Sequence, residues 1–460
     1  MEQLTKRILA IVLIVVIGVG VGITVWIFVA PYSWGAKDCP GAPAGITEDQ
    51  IIKIGVLGGL QDIQGAGALE GAQLAAYEIN TAGGIVVDGE RYYVGITAED
   101  TDESNPNLDI TKGVAAAERI INYKNVQYLT GGFRTEALVV YLETVVAAKI
   151  PFIGTGAATD SFCQNVLDDY DTYKYFFRNM PINSSALGAE IIAFLAYYAG
   201  ALSSPLYANR TINKFGILYE DLDWTTPLVA ALSAYLPAYT GGSVVAKVAY
   251  PITALQTDMN GYMSDIDGNN TQILIPVISA QGGILMMNSY SSLQPGFVVI
   301  GIDVQSQLDS FWDDSTGACL YETILQSLHN TSKTPRSVPF WNAYNARYDH
   351  EPLYTAVGSY DAINLYAWAI NETQSFNVDG LITQIETIDK SNPLAGAGGY
   401  AAFTGGHDVQ EGYPYGYTLF CQWQAGGTKV VVPSFGSIYP PAIATGNFIT
   451  PAWSGWVFNT

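Results

Sequence analysis

Short stretches of this sequence carry side chains suited to recognising a small charged solute. They are Gly58-Gly59-Leu60, Gly131-Gly132-Phe133-Arg134-Thr135, Gly154 through Thr159, Glu220-Asp221-Leu222-Asp223-Trp224, Ser279-Ala280-Gln281 and Gly301-Ile302-Asp303. Together they supply accessible backbone N–H groups, the hydroxyls of Thr135 and Thr159, one cation, aromatic side chains and several carboxylates. Such a set fits a small zwitterion, which is costly to bury unless both of its charges are met. Catalytic sets are missing. There is no G-x-S-x-G elbow, no phosphate-binding G-x-x-x-x-G-K-[ST], no H-E-x-x-H and no G-x-G-x-x-G after a strand. The 3 histidines (His329, His350, His407) are far apart in sequence, and no nucleophile stands out. The sequence is therefore read as that of a non-enzyme without a cofactor. Asp265-Ile-Asp267-Gly268-Asn269 lacks the spacing of a calcium loop and is read as a polar turn. The acidic run Glu99, Asp100, Asp102 and Glu103 is read as a solvated loop rather than a metal site, and no CxxC pair offers a structural zinc site.

The elements that must position these stretches follow from hydrophobic periodicity. Continuous apolar runs recur at Ile54–Leu57, Tyr92–Ile96, Val126–Leu129, Pro151–Ile153, Phe215–Leu218, Val244–Val248, Ile273–Ile275 and Phe297–Ile300. Runs of this kind suit strands buried on both faces. Between them, Gly67–Ile79, Ile110–Ile121, Thr135–Ala148, Ser184–Tyr198 and Thr225–Tyr235 have helical apolar spacing. The alternation predicts βαβ units and a mostly parallel sheet with right-handed crossovers. At 460 residues the series is too long for one compact sheet, so two α/β lobes are expected. In open α/β sheets, ligands bind beyond the carboxyl ends of the strands, and the recognition stretches lie at those ends.

Charged residues make up only 13% of the chain, with a formal net charge of -22. That charge argues against nucleic acid as a partner, and against docking of the globular part onto anionic lipid. Residues 8–30 are apolar and free of charge, long enough as a helix to cross a bilayer. Lys6 and Arg7 precede the run, which places residues 1–7 in the cytoplasm and the remainder outside. A cleaved signal peptide is the competing reading, although no small-x-small cleavage site precedes Pro31. Residues 31–49 are read as a stalk. Sequons at Asn183, Asn209, Asn269, Asn330 and Asn371 fit an extracellular location. The 4 cysteines (Cys39, Cys163, Cys319, Cys421) lie beyond the apolar run, and spacing alone does not choose among their pairings.

Ile52-Lys-Ile-Gly-Val-Leu57, Glu70 through Asn80 and Gly83-Gly84-Ile85 resemble the opening of the branched-chain amino acid-binding proteins of ABC transporters. The resemblance continues through Glu99-Asp100, Gly131-Gly132, Pro151 through Thr159, Phe177-Arg178 and Phe420-Cys-Gln-Trp423. It implies a type I periplasmic binding-protein fold: two Rossmann-like lobes with a ligand cleft between them and three crossovers. These fall near residues 181–184, 328–336 and 408–415. Lobe I would comprise residues 50–182 and 332–410, and lobe II residues 183–331 and 411–460. The resemblance further implies capture of an amino acid for a membrane permease. A ligand carboxylate would rest on Thr135 and on Ala157, Ala158 and Thr159, under Trp224, with Asp303 facing the ammonium. Arg134 departs from the family pattern, and either pairs with a second acidic group on the ligand or turns to solvent. The loop ending at Thr159 is one residue longer than in relatives, so Ala158 and Thr159 compete for one role. Gln61 and Asp62 would sit at the cleft mouth. The lobes so assigned imply Cys319–Cys421 and Cys39–Cys163 disulfides. A sensor ectodomain or a structural surface protein that keeps the fold remain the alternatives.

Overall fold

A computed structural model describes residues 32–202, 211–279, 282–434 and 438–454. The chain first builds a βαβ series. It runs β1 (Ile51–Gly58), α1 (Ile63–Thr81), β2 (Ile85–Val87), β3 (Glu90–Asp100), α2 (Ile110–Glu118) and β4 (Tyr128–Gly131). It continues through α3 (Thr135–Ala147), β5 (Phe152–Gly154), α4 (Ser161–Asp168), α5 (Tyr170–Tyr173) and β6 (Phe176–Arg178). These strands form a 6-stranded sheet in the order β2-β3-β1-β4-β5-β6, parallel except at β2.

A second series follows with α6 (Ser184–Leu202), β7 (Lys214–Glu220), α7 (Thr225–Thr240), β8 (Ser243–Tyr250) and α8 (Gln256–Gly268). It ends with β9 (Ile273–Ile278), α9 (Gly283–Leu293), β10 (Val298–Asp303), α10 (Ser310–Asp314) and β11 (Thr323–Gln326). The chain then returns to the first sheet with α11 (Ser337–Tyr348), α12 (Tyr354–Thr373), α13 (Val378–Glu386) and a small ribbon, β12 (Leu394–Ala395) with β13 (Tyr400–Ala401). Finally β14 (Leu419–Gln424) and β15 (Thr428–Val431) complete the second sheet, ordered β15-β14-β11-β10-β9-β7-β8, with the two last strands antiparallel. The chain thus passes between sheets after β6, after β11 and before β14.

The second sheet explains why its strands read as unbroken apolar runs. On β9, Ile273, Ile275 and Val277 pack into the larger buried cluster, while Leu274 and Ile278 pack into a smaller one with Met286 and Tyr290. Successive side chains point to opposite faces, and helices cover both.

Several expectations need correction. In place of a free stalk, residues 32–50 lie against the first lobe. Trp34 is buried and its Nε1 donates to the Lys124 carbonyl at 2.6 Å, while Asn80 Nδ2 donates to the Pro40 carbonyl at 2.9 Å. The expected disulfides are not formed, and all four cysteines are buried free thiols. The turn carrying Cys39 packs on β3 and the helix carrying Cys163 packs on β6, with β1, β4 and β5 between. At about 4.8 Å per strand, that separation far exceeds the span of a disulfide. Cys421 lies opposite Ile324 in the β11–β14 ladder, whereas Cys319 precedes β11 and packs in the other cluster. The apolar run of residues 8–30 and the sequon at Asn209 lie outside the described residues. Among the described residues no helix is long and apolar enough to cross a membrane. Asn269, Asn330 and Asn371 are exposed, but the Asn183 side-chain nitrogen is engaged, donating to Asp408 at 2.9 Å.

Candidate functional site

A pocket enclosing about 790 Å³ of atom-free space, part of it continuous with solvent, lies between the lobes where the strand ends converge. Its walls are mostly apolar: Phe133, Ile182, Leu187, Leu222, Trp224, Ile302, Val304 and Leu325 all face it. A mostly apolar lining with a few placed polar groups is usual for small-molecule sites.

The polar end is built by the turn after β4. Gly131 and Gly132 adopt φ values of +111° and +74°, and a Cβ on Gly131 would stand 2.1 Å from the Leu57 carbonyl. Only glycine fits, so the backbone turns sharply and α3 begins at the pocket wall. Thr135 opens this helix, whose first N–H groups lack intrahelical partners and favour an anion. Three polar atoms in the lining are buried without a hydrogen-bond partner among the described residues: Ser104 Oγ, Thr135 Oγ1 and Trp224 Nε1. Buried polar groups are ordinarily paired, so unmet donors converging on one cavity point to a ligand that accepts from them.

The structure gathers some expected residues and redirects others. Arg134, Thr135, Ala158 and Trp224 line the pocket. Arg134 does not turn to solvent. Its Nε donates to Glu136 at 3.2 Å and its Nη1 to the Asn105 carbonyl at 3.0 Å, so the cation is balanced within the first lobe. Glu136 in turn accepts the Asp223 backbone N–H at 2.9 Å, a bond that crosses the cleft. Ala157 and Thr159 do not line the pocket. Their carbonyls accept from Arg178 Nη1 at 3.1 and 2.8 Å, and the Thr159 hydroxyl meets Ser161 at the start of α4. Ala158 bridges to the second lobe, its carbonyl accepting from Ser184 N and Oγ.

Asp303 is fully buried behind the wall. It accepts from Gln305 N at 3.1 Å and sits near Glu220 and Glu322, and burial pushes its carboxyl above the usual range. The reason is strand alternation: Ile302 and Val304 face the pocket, so Asp303 between them faces away.

Glu103 was assigned to a solvated acidic loop, and that reading is corrected. Its side chain is fully buried and lines the pocket. It accepts the Phe133 N–H at 3.1 Å and lies 3.5 Å from the Tyr141 hydroxyl, while burial raises its carboxyl to about 7. Glu103 and Ser104 were among the site residues that sequence reasoning missed, as were Ile182, Leu187, Leu325 and Tyr354. For Glu103 and Ser104, their position just beyond the end of β3 was the available signal, because that is where ligands bind in such sheets. Gln61 and Asp62 line a separate, shallow surface pocket with Asp100, Asp102 and Ser104. Among the described residues no group of histidine, cysteine and carboxylate side chains could hold a metal ion.

Two α/β lobes joined by three crossovers around an apolar, donor-lined cleft define a ligand-clamping protein. Residues 51–415 match the periplasmic binding protein family, and the chain belongs to that family. It is 23% identical over 393 residues to Leu/Ile/Val-binding protein homolog 8 of Brucella melitensis biotype 1, covering 83% of this chain and 91% of the relative. Among solved structures it is similar to the leucine-binding protein LivK of Thermotoga maritima. That match has a TM-score of 0.67 and 17% identity, over 85% of this chain and 99% of that one. It is also similar to a putative branched-chain amino acid ABC transporter protein of Silicibacter pomeroyi, with a TM-score of 0.68 and 18% identity over 88% and 99% of the two chains.

Proposed function

We propose that this protein captures a small apolar amino acid outside the cell and delivers it to an ABC permease of the branched-chain type. The observation that carries the reading is that Thr135 Oγ1, Ser104 Oγ and Trp224 Nε1, all unmet, line one otherwise apolar interlobe pocket at whose wall α3 begins. The hydroxyls and helix N-terminus take the ligand carboxylate. Trp224 covers the ligand from the second lobe, and Ile182, Leu187, Ile302 and Leu325 receive an aliphatic side chain. The names of the Brucella relative and the Thermotoga protein support branched-chain amino acids as ligands. Residues 8–30, with Lys6 and Arg7 before them, serve as a membrane anchor that keeps the binding lobes near the permease and raises their effective concentration.

The test is thermal unfolding of the purified protein with leucine, isoleucine or valine. A ligand at about 100 times its dissociation constant adds about 2.7 kcal/mol of stability, a readily measured upward shift. Thr135→Ala is expected to weaken binding by about tenfold or more, the effect of losing a hydrogen bond to a charged group. A folded sample that responds to none of the three amino acids would overturn the reading.

A further inference from the structure

With Asp303 turned away, the question is which group meets the ammonium of an amino acid. Among the described residues lining the pocket, Glu103 is the only carboxylate. Its hydrogen bond from Phe133 N fixes it beside the turn that carries Thr135 and the start of α3. An acid and an anion-accepting helix end therefore stand side by side. An α-amino acid has the matching arrangement, with ammonium and carboxylate on one carbon. We infer that Glu103 is the group that meets the ligand's ammonium, and that it sets the preference of this cleft for amino acids over the corresponding plain carboxylic acids. The inference rests on the proposed function.

The surroundings of Glu103 support this assignment. From the first lobe it faces the hydroxyl of Tyr141 on α3 and, further off, Tyr354 on α12. The Arg134 side chain is committed to Glu136 and Asn105. Across the cleft the described lining of the second lobe is neutral, with Ser279, Gln307 and Ser327 as its polar side chains. Glu220 stands behind Ser279, accepting from its N and Oγ at 2.8 and 2.6 Å, and Asp303 lies behind the wall. Among the described residues no cation faces Glu103, and burial raises its carboxyl to about 7 despite the backbone N–H groups it accepts. A ligand ammonium supplies the missing counter-charge and favours the ionised form. Below about pH 7, capture must then expel a proton from Glu103, and affinity falls by up to about tenfold per pH unit. Above that value affinity is flat.

The experiment is titration calorimetry of the full chain with leucine and with 4-methylpentanoate, which is leucine without its amino group. Measurements at about pH 6 in two buffers of different ionisation heat count the protons released. The native protein is expected to release close to one proton per leucine. It should also prefer leucine over 4-methylpentanoate by about 100-fold or more, since a site built around a polar group rejects the analogue lacking its partner. Glu103→Gln is expected to bring the two affinities within about tenfold, mainly by weakening leucine. Leucine binding without proton release, or undiminished in a folded Glu103→Gln variant, overturns the inference and leaves the proposed function standing. If Glu103→Gln does not fold, proton release by the native protein decides alone. Binding of 4-methylpentanoate but not leucine overturns the assignment of both the ligand and Glu103.

Discussion

Arg178 shows how one residue shapes the cleft without touching it. Its guanidinium is fully buried and pairs with Asp408 in two bonds, Nε to Oδ1 at 2.8 Å and Nη2 to Oδ2. Nη1 holds the Ala157 and Thr159 carbonyls, so the loop after β5 is tied to the chain segment entering the third crossover. Asn183 joins the same carboxylate from the first crossover. Arg178→Met leaves Asp408 without its cation and is expected to cost about 3–5 kcal/mol, the usual cost of removing one partner from a buried pair. A urea midpoint close to that of the native protein would show that the pair is not structural. At this scale the sequence was partly legible. Thr135 and Trp224 could be placed because helix starts and strand ends announce themselves. Asp303 could not, because a one-residue change of parity reverses which side chain faces a cleft. Neither could the cysteine pairing, since lobe membership does not give Cα separations.

Among the elements, α12 is one that the sequence hid, as it hid α8, α9, α11 and α13, and it is the longest of these. It lies against α1, β4 and β5, and most of its length is buried. A helix buried over most of its surface shows little apolar period, which is why Tyr354–Thr373 gave no helical signal. Its contact with α1 is close enough to exclude a methyl group. A Cβ on Gly71 would stand 1.9 Å from the Ala356 carbonyl, and one on Gly358 would stand 2.8 Å from Thr155 Cβ. Gly71→Ala, favourable on helix propensity alone by about 1 kcal/mol, is therefore expected to destabilise by about 1–3 kcal/mol through overpacking. A higher melting temperature for this variant would show that α1 and α12 have room to separate. The strands were more legible. Each of the eight apolar runs lies on an observed strand, because a covered parallel sheet needs apolar side chains on both faces. The short β2, β6 and β11, the ribbon β12–β13 and the antiparallel pair β14–β15 were not found as strands, being brief or broken by polar residues such as Gln422.

For the whole molecule, contacts between the two lobes lie on both rims of the cleft. On one side Glu136 accepts from Asp223 N, and Gln64 Nε2 donates to the Ser279 carbonyl at 3.3 Å. On the other, Glu351 of the first lobe faces Asp309 of the second, whose carboxylate also pairs with Lys429 at 3.2 Å. Burial first, and Asp309 second, raise the Glu351 carboxyl from 4.5 to about 8. A carboxyl raised in the closed form favours that form fully below its ordinary value of 4.5, and loses the effect as pH rises through about 8. Above that point two negative groups face each other across the lobes with Lys429 as their shared cation. The nearby His350 and Glu70, 3.2 Å apart, both belong to the first lobe and do not change partners when the lobes separate. Small-angle scattering of the ligand-free protein is therefore expected to show a larger radius of gyration at about pH 9 than at about pH 6. Glu351→Gln removes the repulsion and should flatten the profile, and a captured ligand that spans both lobes should restore the compact form at high pH. Identical profiles for the native protein and Glu351→Gln would mean that lobe closure is governed at the ligand rim alone.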